Sequence, residues 1–325
     1  MSDSAVPLLE IHGLKTWYPI KKGVLARTAG FIRAVDGVDL TLKRGETLGI
    51  VGESGCGKST LARTLLLLEK PREGTIALNG LNVLTLRGAA LRAFRRSVQV
   101  VFQDPHASLN PRHTVLDLLT EAMIVHGLVT RDGRREVAAH LLADVGLPPD
   151  ILDRYPHAFS GGQRQRICIA RALALGPQLL ICDEAVSALD LSVRAQVLNL
   201  LAELKEKHAL SYLFITHDIG VVQHIADRIA VMYLGKIVET GPASAVLGTP
   251  AHPYTRLLMR AVPQIGVPLP ENGAAPSEAP PFPNPSGCPF APRCPLADAA
   301  CHAAAPALEP LAACPARLCA CFKAG

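Results

Sequence analysis

Three short segments of this 325-residue chain carry residue types that can handle phosphates, a metal ion and water. The first, Gly52-Glu53-Ser54-Gly55-Cys56-Gly57-Lys58-Ser59-Thr60, fits the pattern Gly-x-x-x-x-Gly-Lys-Ser/Thr. Its glycines let backbone N–H groups face a β-phosphate, and a helix starting there adds the positive end of its dipole. Lys58 would reach the β- and γ-phosphates, and the Ser59 hydroxyl would ligate Mg²⁺. A mere glycine-rich turn is the alternative, and the motif's place between a predicted strand and a predicted helix counts against it. The second segment is Asp183-Glu184, directly after the apolar run Leu179 to Cys182. Two acids at a strand end are commonly a solvated turn. Beside a phosphate loop, Asp183 would hold Mg²⁺ through its water shell and Glu184 would orient and polarise the attacking water.

The third segment, Ser160-Gly161-Gly162-Gln163, precedes a helical run from Ile167 to Leu175 and has the form of a capping box. Capping does not require the two glycines, each of which costs a helix roughly 1 kcal/mol relative to alanine. Bare backbone at a helix N-terminus is what an approaching phosphate needs. Gln103 and His217 each fall just past the end of a predicted strand, where open α/β sheets bind ligands. We assign Gln103 to sensing Mg²⁺ and the attacking water, and His217 to the γ-phosphate.

These residues need a sheet with its strand ends on one edge. Thr47 to Val51, Val98 to Phe102, Leu179 to Cys182 and Tyr212 to Thr216 read as strands, the last two apolar enough to be buried on both faces. Ser59 to Leu68 is the helix after the loop. Alternation of such strands with helical patterns predicts an α/β fold with a mainly parallel sheet. Between Asp104 and Tyr155 the pattern turns helical, over Val115 to Val125 and Glu136 to Val145, and is expected to be an insertion. Strand pairs return from Arg228 to Gly241 around a turn at Gly235-Lys236. Gly266 to Pro285 is rich in Pro, Gly and Ala and reads as a linker.

Composition excludes some classes. A net charge of +5 is spread along the chain, unlike the concentrated basic face of a nucleic-acid binder. No run of about 18 apolar residues could span a membrane. The N-terminus is polar and unlike a secretory signal, so a cytosolic setting is expected. Of nine cysteines, Cys56, Cys168 and Cys182 fall in predicted core elements and six crowd the last 38 residues. Without an export signal, that cluster reads as metal binding before disulfides. Its spacing suits a zinc knuckle poorly, whereas iron–sulfur clusters accept four thiolates at varied spacing.

Together, residues 52–60, Val-Phe-Gln-Asp-Pro at 101–105, Phe-Ser-Gly-Gly-Gln-Arg-Gln-Arg at 159–166 and Asp-Glu-Ala-Val-Ser-Ala-Leu-Asp at 183–190 resemble the ATP-binding cassette family. Within it the chain is most similar to the ATPase subunits of dipeptide and oligopeptide importers, whose distinctive ending Gly-Cys-Pro-Phe-Ala-Pro-Arg-Cys-Pro at 287–295 is like. The resemblance implies a RecA-like P-loop core over residues 1–245 with a helical subdomain near 104–170. A helix and Pro-rich linker would occupy 246–285, and a Cys-rich extension 286–325. It implies a head-to-tail ATPase dimer, in which the phosphate loop of one subunit faces Ser160, Gly161, Gly162 and Gln163 of the other. Asp190 would lie in the loop crossing that interface. Tyr18 would stack on adenine, with Trp17 as the alternative.

The same resemblance implies a second ATPase subunit, distinct or identical, and two permease subunits whose coupling helices the insertion grips. An extracytoplasmic binding protein would deliver substrate, and no nucleic acid is involved. The chain would sit peripherally at the cytoplasmic face of the inner membrane. The tail is expected to hold a [4Fe-4S] cluster on Cys288, Cys294, Cys301 and either Cys321 or Cys319, with zinc and no metal as alternatives. Relatives import dipeptides, longer peptides, glutathione, nickel complexes or glycans, and these residues do not separate them. A cassette acting on ribosomes or DNA would carry two cassettes or a coiled coil, neither visible here. A small-molecule phosphotransferase would leave Ser160 to Gln163 without a role.

Overall fold

The structure, a computed structural model, describes residues 6–23, 27–260 and 286–324. They form two units, one of residues 6–8, 42–47 and 81–215 and the other of residues 9–41, 48–80 and 216–324. The predicted linker at 266–285 lies outside the described residues.

The first unit has three parallel strands, Val98–Val101, Leu179–Asp183 and Ser211–Thr216 as far as Ile215, with Val98 opposite Leu179 and Cys182 opposite Phe214. Every residue of the last two is buried, as continuous apolar runs in a parallel sheet require. Helices Val115–Val125 and Arg134–Asp144 supply the predicted helical stretch. Thr114 caps the first, its Oγ1 accepting the Asp117 N–H at 3.3 Å. Helices Gly161–Leu173 and Leu191–His208 follow.

Strand Thr47–Val51, in the second unit from Leu48 on, runs parallel to Arg228–Tyr233, with Val51 opposite Val231. Arg228–Tyr233 pairs antiparallel with Lys236–Pro242 across a turn in which Leu234 and Gly235 both take positive φ, at 42° and 83°. That combination matches the twist of a tight hairpin. Cys314–Cys319 then adds to Lys236–Pro242, and Glu309–Leu311 to Cys314–Cys319. The cysteine-bearing tail is therefore paired into the same sheet as the strand after the phosphate loop's partner. Phe290 also joins the core formed by Val51, Val231, Tyr233, Val238 and Tyr254.

A separate antiparallel arrangement of Arg27–Leu42, Leu9–Lys22 and Glu73–Leu78 was not visible in the sequence. The register of Leu9–Lys22 slips between His12 and Lys15, where Gly13 takes φ +55°. Buried positions change from Leu9 and Ile11 to Leu14 and Thr16, which breaks the period of two. Among the described residues no helix is long and apolar enough to cross a membrane.

Candidate nucleotide site

The phosphate loop runs from the buried strand Thr47–Val51 into helix Lys58–Leu65, which starts one residue before and ends three residues before the predicted helix. Two glycines are sterically required. A Cβ on Gly52 would stand 2.2 Å from the Met232 carbonyl oxygen, and one on Gly57, at φ +110°, 1.9 Å from that of Ala34. Lys58 is buried, and its Nζ donates to the carbonyls of Gly52 at 2.7 Å and Glu53 at 2.9 Å. Ser54 and Gly55 are exposed at the turn of the loop, while Ser59 and Thr60 are half-buried in the first helical turn. Burial pushes the Cys56 thiol up, with Lys58 opposing, so Cys56 is a packed apolar residue here.

Strand alternation separates the two aromatic candidates. Thr16 bonds Thr64 of the loop helix, Oγ1 to Oγ1 at 3.0 Å, and Tyr18 shares the parity of Thr16. Trp17 has the opposite parity. Its Nε1 donates to Asp36 at 3.2 Å, and the guanidinium groups of Arg33 and Arg72 lie 4.7 and 4.6 Å from its ring. His217 is exposed directly after Ser211–Thr216. The backbone there is fixed by Asp218, whose N–H donates to Thr216 Oγ1 at 3.0 Å and whose carboxylate caps Gly220 at 2.9 Å.

The sequence gives no hint of two further residues on the loop. The Glu53 N–H donates to the Tyr254 hydroxyl at 2.9 Å, and Arg293 of the tail donates through both terminal nitrogens to the Glu53 carboxylate, each at 2.8 Å. The partners stand 201 and 240 residues from Glu53, beyond the reach of any local pattern.

The first unit carries the other residues. Gln103 is exposed beyond Val98–Val101, in front of a short helix, Pro105–Ser108, that Asp104 caps. Asp183 ends its strand buried, and Glu184 follows at φ +52°. A non-glycine residue there costs about 1–2 kcal/mol. The conformation is held on both sides: the Glu184 N–H donates to Ile215 O at 2.9 Å, and its carbonyl accepts from Ser187 Oγ at 3.0 Å. Strain of this kind, enforced by neighbours, collects at functional positions.

The capping box is formed as the spacing predicts. Ser160 Oγ accepts the Gln163 N–H at 3.3 Å, and Gln163 Oε1 accepts the Ser160 N–H at 3.1 Å. The helix begins at Gly161, so both glycines sit in its first turn. Their reasons differ. A Cβ on Gly162 would come within 2.5 Å of Val193 Cγ1, a packing demand that the sequence did not reveal, whereas one on Gly161 would meet only Leu189 Cδ2 at 3.9 Å. Arg164 fastens this helix, donating from Nε to Pro156 O at 2.8 Å and bonding His106 after the Gln103 loop. Asp190 is exposed as N-cap of Leu191–His208.

In the tail, Cys288, Cys294, Cys301 and Cys321 line one cavity of about 10 Å³. Cys319 lies off it, with its thiol pushed up to about 12 by burial and by the Glu239 carboxylate. Among the described residues no group of three or more His, Cys, Asp or Glu side chains is placed to hold a metal ion. Four thiols along one cavity are the donor type of an iron–sulfur group. A space of this size, about one water, does not fit one without the thiols moving apart.

A phosphate loop leaving a buried parallel strand, together with a buried aspartate closing another, defines an α/β ATPase of the P-loop class. Residues 35–187 match the family described as ABC transporter, and residues 238–301 that described as oligopeptide/dipeptide transporter, C-terminal region. The chain is 49% identical over 318 residues to a probable peptide ABC transporter ATP-binding protein of Sinorhizobium fredii, covering 96% of this chain and 88% of that protein. It is 50% identical over 302 residues to an oligopeptide transport ATP-binding protein of Bacillus subtilis, covering 90% and 91%. Among solved structures, a dimeric ATP-binding cassette in a post-hydrolysis state with ADP and phosphate matches with TM-score 0.63 and 30% identity, over 72% of this chain and 98% of that one. The chain belongs to the ATP-binding cassette family of transporter ATPases, in the branch that carries the oligopeptide/dipeptide C-terminal region.

Proposed function

We propose that this chain is the ATP-hydrolysing subunit of an importer for dipeptides or oligopeptides. The observation that carries this reading is that the likeness continues past the cassette, through the peptide-transporter region at 238–301. In the proposed reaction, Glu184 takes a proton from water as its oxygen attacks the γ-phosphorus. The bond from that phosphorus to the β–γ bridging oxygen breaks, leaving ADP and phosphate. Lys58 and His217 stabilise the γ-phosphoryl charge, Gln103 orients the water, and Tyr18 stacks on adenine. Ser59 and Asp183 would hold Mg²⁺, which supplies charge neutralisation at the β- and γ-oxygens. Ser160, Gly161, Gly162 and Gln163 contact the ATP of a second ATPase subunit in a head-to-tail dimer, with Asp190 at its interface.

Dimer closure on ATP would drive two permease subunits fed by an extracytoplasmic binding protein, with the chain peripheral at the cytoplasmic membrane face. For the tail we propose Cys288, Cys294, Cys301 and Cys321 as ligands of an iron–sulfur cluster. Their convergence on one cavity supports this, and its small volume counts against it. Iron and sulfide assay of anaerobically purified protein decides it: metal-free protein that is folded and active removes the cluster.

A second reading, glutathione import, is favoured by 51% identity over 259 residues to a glutathione import ATP-binding protein of Pectobacterium atrosepticum, covering 80% of this chain and 42% of that protein. The complex with permease, ATPase and binding-protein partners should be reconstituted and its ATPase measured against dipeptides, longer peptides, glutathione and a nickel chelate. Stimulation by peptides supports the first reading, and by glutathione alone the second. Hydrolysis that responds to none of them contradicts both.

A further inference from the structure

We propose that Arg293 and Tyr254 are positioning residues of the ATP site: they hold the phosphate loop at Glu53 and so set how tightly it takes nucleotide. The proposal rests on the assignment of residues 52–60 to ATP. Glu53 is the loop's second residue, and three of its groups are spoken for by different partners. Its N–H donates to the Tyr254 hydroxyl at 2.9 Å, its carboxylate accepts both Arg293 terminal nitrogens at 2.8 Å, and its carbonyl accepts Lys58 Nζ at 2.9 Å. One residue thus joins the C-terminal tail to the lysine that meets the phosphates.

Arg293 is itself tightly placed. Its side chain is 4% exposed against 31% for Glu53, a two-pronged charge-assisted pair that fixes direction as well as distance. The guanidinium stands 5.7 Å from the Tyr233 ring and 5.8 Å from that of Phe290. Tyr233, Tyr254 and Phe290 pack on one another with centroids 4.5 to 5.5 Å apart, and all three are buried. Phe290 and Arg293 lie on one turn between Cys288 and Cys294, closed by the Ala291 N–H to Cys288 O at 3.0 Å and the Cys294 N–H to Ala291 O at 3.2 Å.

Two physical effects follow. A phosphate loop binds through backbone N–H groups, so fixing that backbone beforehand removes an ordering cost from binding. Glu53 also brings a negative charge into a loop that must take a polyanion, and Arg293 neutralises it. Removing Arg293 alone leaves that carboxylate partly buried and unpaired, whereas removing both charges does not. The expected pattern is therefore non-additive.

The test is nucleotide affinity by titration of a fluorescent ATP analogue, with KM and kcat for ATP, on the full chain. Arg293→Met should raise Kd and KM about ten-fold, with a smaller change in kcat, as loss of one partner of a charged pair does. Adding Glu53→Gln to Arg293→Met should restore much of the affinity, and Arg293→Lys should lie between wild type and Arg293→Met. Tyr254→Phe keeps the ring and should raise Kd about three-fold. Wild-type Kd in Arg293→Met, or a double variant worse than Arg293→Met, overturns the proposal. Should Arg293→Met fail to fold, wild-type Kd in both Tyr254→Phe and Glu53→Gln does the same. Full affinity in Lys58→Ala would overturn the ATP assignment instead.

Discussion

Arg317, on the tail strand Cys314–Cys319, donates its Nε to the Glu239 carboxylate at 2.8 Å, and Glu239 is wholly buried. The same carboxylate accepts the N–H groups of Ala251 at 3.1 Å and His252 at 2.9 Å. One acid thus ties the tail, its own strand and the chain before helix Pro253–Arg260. Buried ion pairs contribute little net, but removing one partner strands the other. Arg317→Met should therefore cost about 3–5 kcal/mol, read as a fall in the denaturant midpoint. Glu239→Gln with Arg317→Met, which leaves no buried charge, should recover most of it. Equal midpoints for the single and double variants would contradict this account.

Much of the site was legible because its signals are local. Strand Thr47–Val51, helix Val115–Val125 and the Ser160–Gln163 box have the bounds or bonds their residues predict. The missed parts are long-range or masked. The bulge at Gly13 hides the alternation of Leu9–Lys22, and the Val193 contact that requires Gly162 depends on a helix 31 residues on. Neither Arg293 nor Tyr254 carries any mark in sequence of its bond to Glu53.

Glu184 sits at φ +52°, where a β-carbon is unwelcome. Glu184→Gly should be more stable than Glu184→Ala by about 1 kcal/mol, the reverse of the usual order of these residues. Both should lack hydrolysis, and Glu184→Gln should bind ATP while turning over below a tenth of wild type. Chemical unfolding of the pair checks the strain. Phosphate release from Glu184→Gln near the wild-type rate would remove the residue from its proposed role.

His252 is buried, and its Nδ1 accepts the Tyr254 N–H at 3.0 Å. Burial, opposed by the Glu239 carboxylate, lowers its pKa to about 4. The unfolded chain then takes up a proton near the ordinary value of about 6.5, while the folded chain does not until near pH 4. Stability should be undiminished by this group above the unfolded value, fall as pH drops from there to the folded value, and level off below it. The full loss is about 3 kcal/mol at ~1.4 kcal/mol per unit. His252→Asn, which keeps an acceptor for the Tyr254 N–H, should flatten that slope. Parallel slopes for the two proteins between pH 7 and 4 would assign the effect to other groups.

Gly161 and Gly162 allow packing and function to be measured apart. At Gly162 an added Cβ meets Val193 Cγ1 at 2.5 Å, so Gly162→Ala forces a shift in helix Leu191–His208 and should cost about 1–3 kcal/mol, as overpacking does. Val193→Ala removes the obstructing methyls and should relieve part of that cost. At Gly161 the nearest atom to an added Cβ is Leu189 Cδ2 at 3.9 Å, ordinary contact, and the position is exposed. Gly161→Ala should therefore leave stability unchanged or raise it by up to ~1 kcal/mol, since alanine is the better helix former. If the first turn of this helix presents backbone to the ATP of a second subunit, the same substitution should lower hydrolysis at least ten-fold by blocking close approach, without altering the ATP affinity of a single chain. Gly161→Ala with wild-type turnover would make Ser160 to Gln163 the start of a well-capped helix and nothing more.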